Sequence, residues 1–312
     1  MTSWIDKLFH KRLSEETVPL EHEPTRGNSQ PVSNEPEGIP AENTSIDSKI
    51  NPHLEITQLI VGVAQSVGVQ RDHNEDTLFT LTTNLVSSEK QLHFGLYIVA
   101  DGMGGHENGE IASSMAVEKF TYHIIHNLFL PLFSSASNEI ESSIQEVMQS
   151  GVIHAHQTIK KEAMGSGTTL TAALILGDLM TIAHVGDSRA YLILPDGNFQ
   201  LLTHDHSLVK RLEEIGQITA EQVSTHPQRN VLYRALGQGE SFEPDIATFQ
   251  MKPGYQLLLC SDGLWGVVSE ADMAKTIYSN PDPQFACQSL IDLANSAGGP
   301  DNISAIIARV PG

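Results

Sequence analysis

"VADGMGGH", residues 99–106, is the stretch on which the fold turns. The strand formers Leu96, Tyr97, Ile98, Val99 and Ala100 run straight into Asp101 and Gly102. The same event recurs where Leu257, Leu258, Leu259, Cys260 and Ser261 meet Asp262 and Gly263. Each run predicts an apolar strand that delivers a carboxylate at its C-terminal end.

Outward from these two strands, apolar runs predict further strands at 57–64, 77–83, 168–176, 179–185, 189–194 and 303–310. Two helices interrupt them. Residues 108–127 place Ala112, Met115, Ala116 and Phe120 at helical spacing, and 138–162 do the same with Ile140, Ile144, Val147, Met148, Gly151, Ala155 and Ile159. Ser269 and Asp272 signal a capped helix start, and 283–296 reads as one more helix. Residues 205–250 read as irregular. The order predicts an α+β fold with largely antiparallel sheets covered by helices.

Other acids stand at predicted strand ends. Asp187 lies in the turn between "TIAHVG" and "RAYLIL"; Glu75 and Asp76 precede "TLFTL"; Asp301 precedes the last strand. In antiparallel sheets the C-terminal end of one strand lies beside the N-terminal end of its neighbour. Glu75, Asp76, Asp101, Asp187, Asp262 and Asp301 can therefore meet at one edge. Gathering carboxylates is costly unless something positive joins them. An oxygen-only set suits hard ions such as Mg²⁺ or Mn²⁺, and the glycine after each strand-end aspartate suits a tight turn. Arg71, in "QRDHNED", is a cation whose planar fork matches a phosphate.

Composition sets the limits. The chain of 312 residues has 38 acidic and 18 basic side chains, a net charge of −20. Residues 1–50 carry five basic and nine acidic groups, so most of the surplus belongs to the remainder. Such a domain is a poor partner for nucleic acid. Two cysteines, Cys260 and Cys287, make no disulfide framework and read as core residues of a cytoplasmic protein. No run approaches the length of a membrane span. Residues 1–13 predict a short amphipathic helix, with Trp4, Ile5, Leu8 and Phe9 on one face, suited to a partner or a membrane surface. Residues 14–55, rich in Pro, Glu, Ser and Thr up to about residue 49, predict a disordered linker, and 56–310 the folded domain.

The motifs "RDHNED" (71–76), "VADGMGGHENGEIAS" (99–113), "GSGTTLTAALI" (165–175), "AHVGDSRAYLI" (183–193), "LTHDHSLV" (202–209), "LYRALG" (232–237), "CSDGLWGVVS" (260–269) and "GGPDNISAIIARV" (298–310) occur in that order. Together they resemble the bacterial form of the PPM (protein phosphatase 2C) family of metal-dependent serine/threonine protein phosphatases. The resemblance implies a four-layer αββα sandwich with a flap at about 205–245. It also implies hydrolysis of phosphoserine and phosphothreonine in proteins by a hydroxide bridging two ions, in opposition to bacterial serine/threonine kinases. By resemblance, Asp101 bridges the ions with the Gly102 carbonyl as a further ligand, and Asp262 and Asp301 hold the first. Glu75 serves the second, Asp76 orients water, Asp187 marks a third ion, and Arg71 binds phosphate. Asn302 takes a supporting place. Animal members have a histidine after "DG" as general acid. Here that place is Met103, and His106 stands near it as the substitute. Read from the residues alone, the acidic set also fits a phosphoprotein-binding module or a two-metal phosphodiesterase.

Overall fold

The computed structural model describes residues 57–86, 91–104, 107–133, 142–223, 226–240 and 243–312. The amphipathic segment 1–13, the whole of the linker expected at 14–55, the domain boundary at 56, and His106 lie outside the described residues.

In chain order the strands are β1 (Ile60–Ser66), β2 (Thr77–Val86), β3 (Gln91–Ala100), β4 (Gly102–Met103), β5 (Gly167–Thr168), β6 (Leu170–Leu176), β7 (Leu179–Val185), β8 (Arg189–Ile193), β9 (Phe199–Leu201), β10 (Asp245–Gln250), β11 (Gln256–Cys260) and β12 (Ile303–Arg309). The α-helices are α1 (Glu107–Ile124), α2 (Ile144–Glu162), α3 (Leu208–Glu214), α4 (Ala220–Val223), α5 (Asp262–Trp265), α6 (Glu270–Ser279) and α7 (Pro283–Ser296). One five-stranded sheet has the order β1-β12-β11-β8-β9, the other β10-β7-β6-β3-β2, and β4 pairs with β5. The neighbours in both large sheets pair antiparallel.

The alternation of side chains along a strand explains the layers. In β3, Phe94, Leu96, Ile98 and Ala100 point into a core shared with Ala116, Phe120, Val152 and Ile159 of α1 and α2. The intervening Tyr97 and Val99 point the other way, onto Ala190, Leu192, Leu257, Leu259 and Ile306 of the opposite sheet. In β11, Leu258 and Cys260 face a third core with Met273, Ile277, Cys287, Leu290 and Ile291 of α6 and α7. Three apolar layers therefore separate four layers of structure, the αββα sandwich expected from the motifs. Cys260 and Cys287 are both buried in the third core, where burial pushes their thiols up to about 12. They pack as small apolar groups.

Several expectations change. The helix expected from 138 begins at Ile144, where Ser143 and Glu146 close a reciprocal capping box. Residues 205–250 are not wholly irregular. Ser207 caps α3, accepting from Lys210 N–H, and Asp245–Gln250 form an edge strand on β7. That strand is largely exposed, so its apolar signal is thin. Gly102 and Gly263 do not adopt left-handed backbone. They are required for space instead. A Cβ on Gly102 would lie 2.2 Å from the Gly109 carbonyl oxygen, and one on Gly263 would lie 2.1 Å from that of Asn302.

Candidate active site

The two sheets bring their strand ends together at one edge. Asp101 leaves β3 with its backbone clamped: its N–H donates to Thr169 Oγ1 (2.9 Å), and its carbonyl accepts from Thr169 N–H (2.9 Å) and Thr168 Oγ1 (2.9 Å). Gly102 N–H donates to the Glu75 carbonyl (3.2 Å), which also accepts from Ser113 Oγ (2.6 Å). The loop bearing Glu75 is thus fastened to the exit of β3 and to α1.

Asn302 fastens the same loop from the other sheet. Its Oδ1 accepts from Glu75 N–H (2.8 Å), and its Nδ2 donates to the carbonyls of Val67 (2.8 Å) and His73 (2.9 Å). Next to it, Asp301 Oδ2 accepts from Arg71 Nη2 at 2.7 Å on the solvent side. Asp76 reaches across the seam: one carboxylate oxygen accepts from Ser261 Oγ (2.8 Å) and Ser304 Oγ (2.7 Å).

Glu75, Asp76 and Asp187 are each only 7% exposed. Buried carboxyls normally have every oxygen satisfied. Here Glu75 Oε1, Asp76 Oδ1 and Asp262 Oδ1 have no hydrogen-bond partner. Burial pushes the Asp76 carboxyl up to about 7, against the two serine hydroxyls and helped by the charges of Asp262 and Asp301. Burial and Asp301 push Asp262 up to about 6, although it stands within hydrogen-bonding reach of Asp101. Asp101 and Asp187 are held well above the usual carboxylate range, first by burial and then by neighbouring acids. Asp101 feels Asp76, Asp262, Asp187 and Asp301 together.

Among the described residues no three His, Cys, Asp or Glu side chains converge into a closed ligand cage. The carboxylates, alike in charge, are spread around the sheet edge rather than gathered on one point. The donor set still fits divalent cations. It consists of oxygens, three of them buried without a hydrogen bond, and it carries excess negative charge in a desolvated place. Glu75, Asp76, Asp101, Asp187, Asp262 and Asp301 could hold such ions.

Asp187 has its own frame. It sits between β7 and β8, after Gly186, whose φ of 112° is in the left-handed region. Gly186 N–H donates to His206 Nδ1 (3.1 Å), and the Gly186 carbonyl accepts from His206 N–H (2.7 Å). Ser188 Oγ meets Thr169 Oγ1 at 2.8 Å, so one threonine hydroxyl touches both the Asp101 and the Asp187 segments. Trp265 Nε1 donates to the Asp187 carbonyl at 3.0 Å.

His206 of "LTHDHSLV" and His184 are built into the packing. His206 is buried against Asp245 Oδ2 (3.1 Å) and Arg234 Nη1 (3.2 Å). His184, between Thr171 and the His204 carbonyl, is lowered to about 4 by burial and is neutral at pH 7. Asp205 forms a forked pair with Arg189 (3.0 and 2.7 Å). Sequence reasoning found the acids and Arg71 but missed the supports Thr169, Ser261, Ser304, Arg189 and Trp265. Their only sequence signal was position beside the acidic motifs.

The family model described as "PP2C: Protein phosphatase 2C" matches residues 61–303. A relative named "Serine/threonine phosphatase stp", from Listeria innocua, is 38% identical over 77% of this chain and 91% of its own length. Among solved structures, the Mycobacterium tuberculosis serine/threonine phosphatase PstP/Ppp is 31% identical. It covers 82% of this chain and 100% of its own, with a TM-score of 0.67. The catalytic domain of PstP in complex with two manganese ions is 28% identical over 82% of this chain and 100% of its own, at a TM-score of 0.66. Sandwich, sheet-edge acids and matches of this extent agree: the chain belongs to the protein phosphatase 2C (PPM) family of metal-dependent serine/threonine protein phosphatases.

Proposed function

We propose that this chain removes phosphate from phosphoserine and phosphothreonine in proteins, using two Mn²⁺ or Mg²⁺ ions held by the sheet-edge carboxylates. The observation that carries this reading is the cluster of desolvated acids, three of whose buried oxygens have no hydrogen bond, with Arg71 on its rim. Bound there, the ions supply Lewis acidity that lowers the pKa of water and offsets phosphate charge.

The residues divide the remaining work. Arg71 is half-exposed and, among the described residues, bonded through one Nη to Asp301, leaving the rest of its fork for phosphate oxygens. Asp101, with the Gly102 carbonyl beside it, would be shared by both ions; Asp262 and Asp301 would hold one and Glu75 would serve the other. Asp76, fixed on one side by Ser261 and Ser304, presents its second oxygen to orient water. Asn302 sets the height of Glu75. Asp187 would hold a third ion, and His106 would serve as proton donor to the leaving group. The acidic surface and the few cysteines favour work in the cytoplasm, opposite a serine/threonine kinase. Among the described residues no helix is long and apolar enough to cross a membrane.

The test is phosphate release from a phosphothreonine peptide with Mn²⁺, with Mg²⁺ and with chelator. Release that depends on the ion and stops in chelator is expected. A folded protein that releases none with either ion would overturn the reading.

A further inference from the structure

Helix α5 is four residues long, with Asp262 at one end and Trp265 at the other. Gly266 N–H donates to the Asp262 carbonyl at 2.8 Å, closing the turn into one rigid unit. The Trp265 indole N–H reaches the Asp187 carbonyl, and its ring is the platform for Arg189, whose guanidinium carbon lies 3.6 Å from the ring centre. Arg189 is itself immobilised by the forked pair with Asp205 and by a bond to Tyr191 Oη (3.1 Å). The indole is thus a direct bond between the turn that carries Asp262 and the turn that carries Asp187.

We infer that Trp265 is a positioning residue: it locks the Asp187 turn to the Asp262 turn, so that a divalent cation bound at one carboxylate finds the other already in place. This rests on the cation-binding reading above. A partner beyond the ligand that fixes its orientation typically changes metal affinity by roughly tenfold or more when removed. Trp265→Phe keeps an aromatic ring under Arg189, although a smaller one, and deletes the N–H donor.

The experiment counts bound Mn²⁺ by electron paramagnetic resonance of the free ion, for wild type, Trp265→Phe and Asp187→Asn. Asp187→Asn should lose one class of ion, and Trp265→Phe should weaken that same class by roughly tenfold. Should Trp265→Phe not fold, a second measurement decides. The chain has two tryptophans, Trp4 and Trp265, so a Trp4→Phe protein reports Trp265 alone. Its emission should change saturably with Mn²⁺ and with non-quenching Mg²⁺, and the response should vanish with Asp187→Asn. Wild-type-like Mn²⁺ affinity in Trp265→Phe, or emission indifferent to both ions, overturns the role of Trp265 while leaving the phosphatase reading intact. Failure of the wild-type protein to bind Mn²⁺ at all overturns both.

Discussion

Two acidic neighbourhoods meet at the Asp187 turn, and they are neutralised in opposite ways. On one side Asp205 takes both forks of Arg189, and Asp245 pairs with Arg234 at 2.9 Å. On the other side Asp76 and Asp187 are as buried as Asp205, and Asp101 and Asp262 are partly buried, yet among the described residues Arg71 on the rim pairs only with Asp301. The chain can therefore supply an arginine to a buried carboxylate and does so at Asp205. A family that works with metals leaves its second neighbourhood charged for a reason that lies outside the polypeptide.

The sharpest way to break the comparison is to remove an arginine from the neutralised side. Arg189→Met strands the Asp205 carboxylate, and loss of one partner of a buried pair costs about 3–5 kcal/mol. Denaturant unfolding should show a midpoint lowered to match, with or without Mn²⁺. A loss below about 1 kcal/mol would mean that the two sides are not different in kind.

On the charged side the effect should reverse. Asp262→Asn should reduce phosphate release by roughly a hundredfold or more, the scale for losing one preorganised charge-stabilising group. In chelator the same variant should melt higher than wild type, because one repelling charge is gone. Lower melting in chelator would contradict the repulsion described here.

Acidity sharpens the contrast further. The folded-state values of Asp76 and Asp262 are raised, to about 7 and about 6. A raised acid stabilises the fold when protonated, and that contribution is lost as pH rises through the folded value. In chelator the melting temperature should therefore fall between pH 5 and pH 8. In a domain of this size each kcal/mol corresponds to roughly 2–4 °C. Saturating Mn²⁺ should flatten the slope. A chelated protein that grows more stable over this range would refute the assignment.

The smallest effect belongs to the hydroxyl supports. Ser304→Ala removes one donor from the Asp76 carboxylate, a bond worth about 1–3 kcal/mol. It should move the acidic limb of the pH–rate profile upward, since the ionised form of Asp76 loses support. An unmoved limb would place Asp76 outside the titrating step.

The sequence made the layers legible through Leu96–Ala100 and Leu257–Ser261, because buried strands carry continuous apolar runs. Ala112, Ala116 and Phe120 announced a helix and are fully buried in one. Edge strand β10 was not legible, because an exposed strand has little pattern to show, and the four residues of α5 are too few for a period. Ser143 and Glu146 did carry a capping signature that sets the start of α2, and the broader apolar rhythm obscured it. The acids were legible as punctuation at strand ends. Their supports were not: Ser304 meets Asp76 across 228 positions of sequence, and such meetings exist only once the sheets are packed.

The strand order has one more consequence. Glu75, Asp76 and Asp101 belong to the ends of one sheet, Asp262 and Asp301 to the other, and Asp187 lies where the chain crosses from β7 to β8 between them. An ion held by acids from both sheets is a rivet through the sandwich. Sliding of one sheet over the other would stretch it, so amide hydrogens at the active edges of both sheets should slow their exchange together when the ions enter. The rate at which this protein comes apart would then be set by the cations it uses for chemistry.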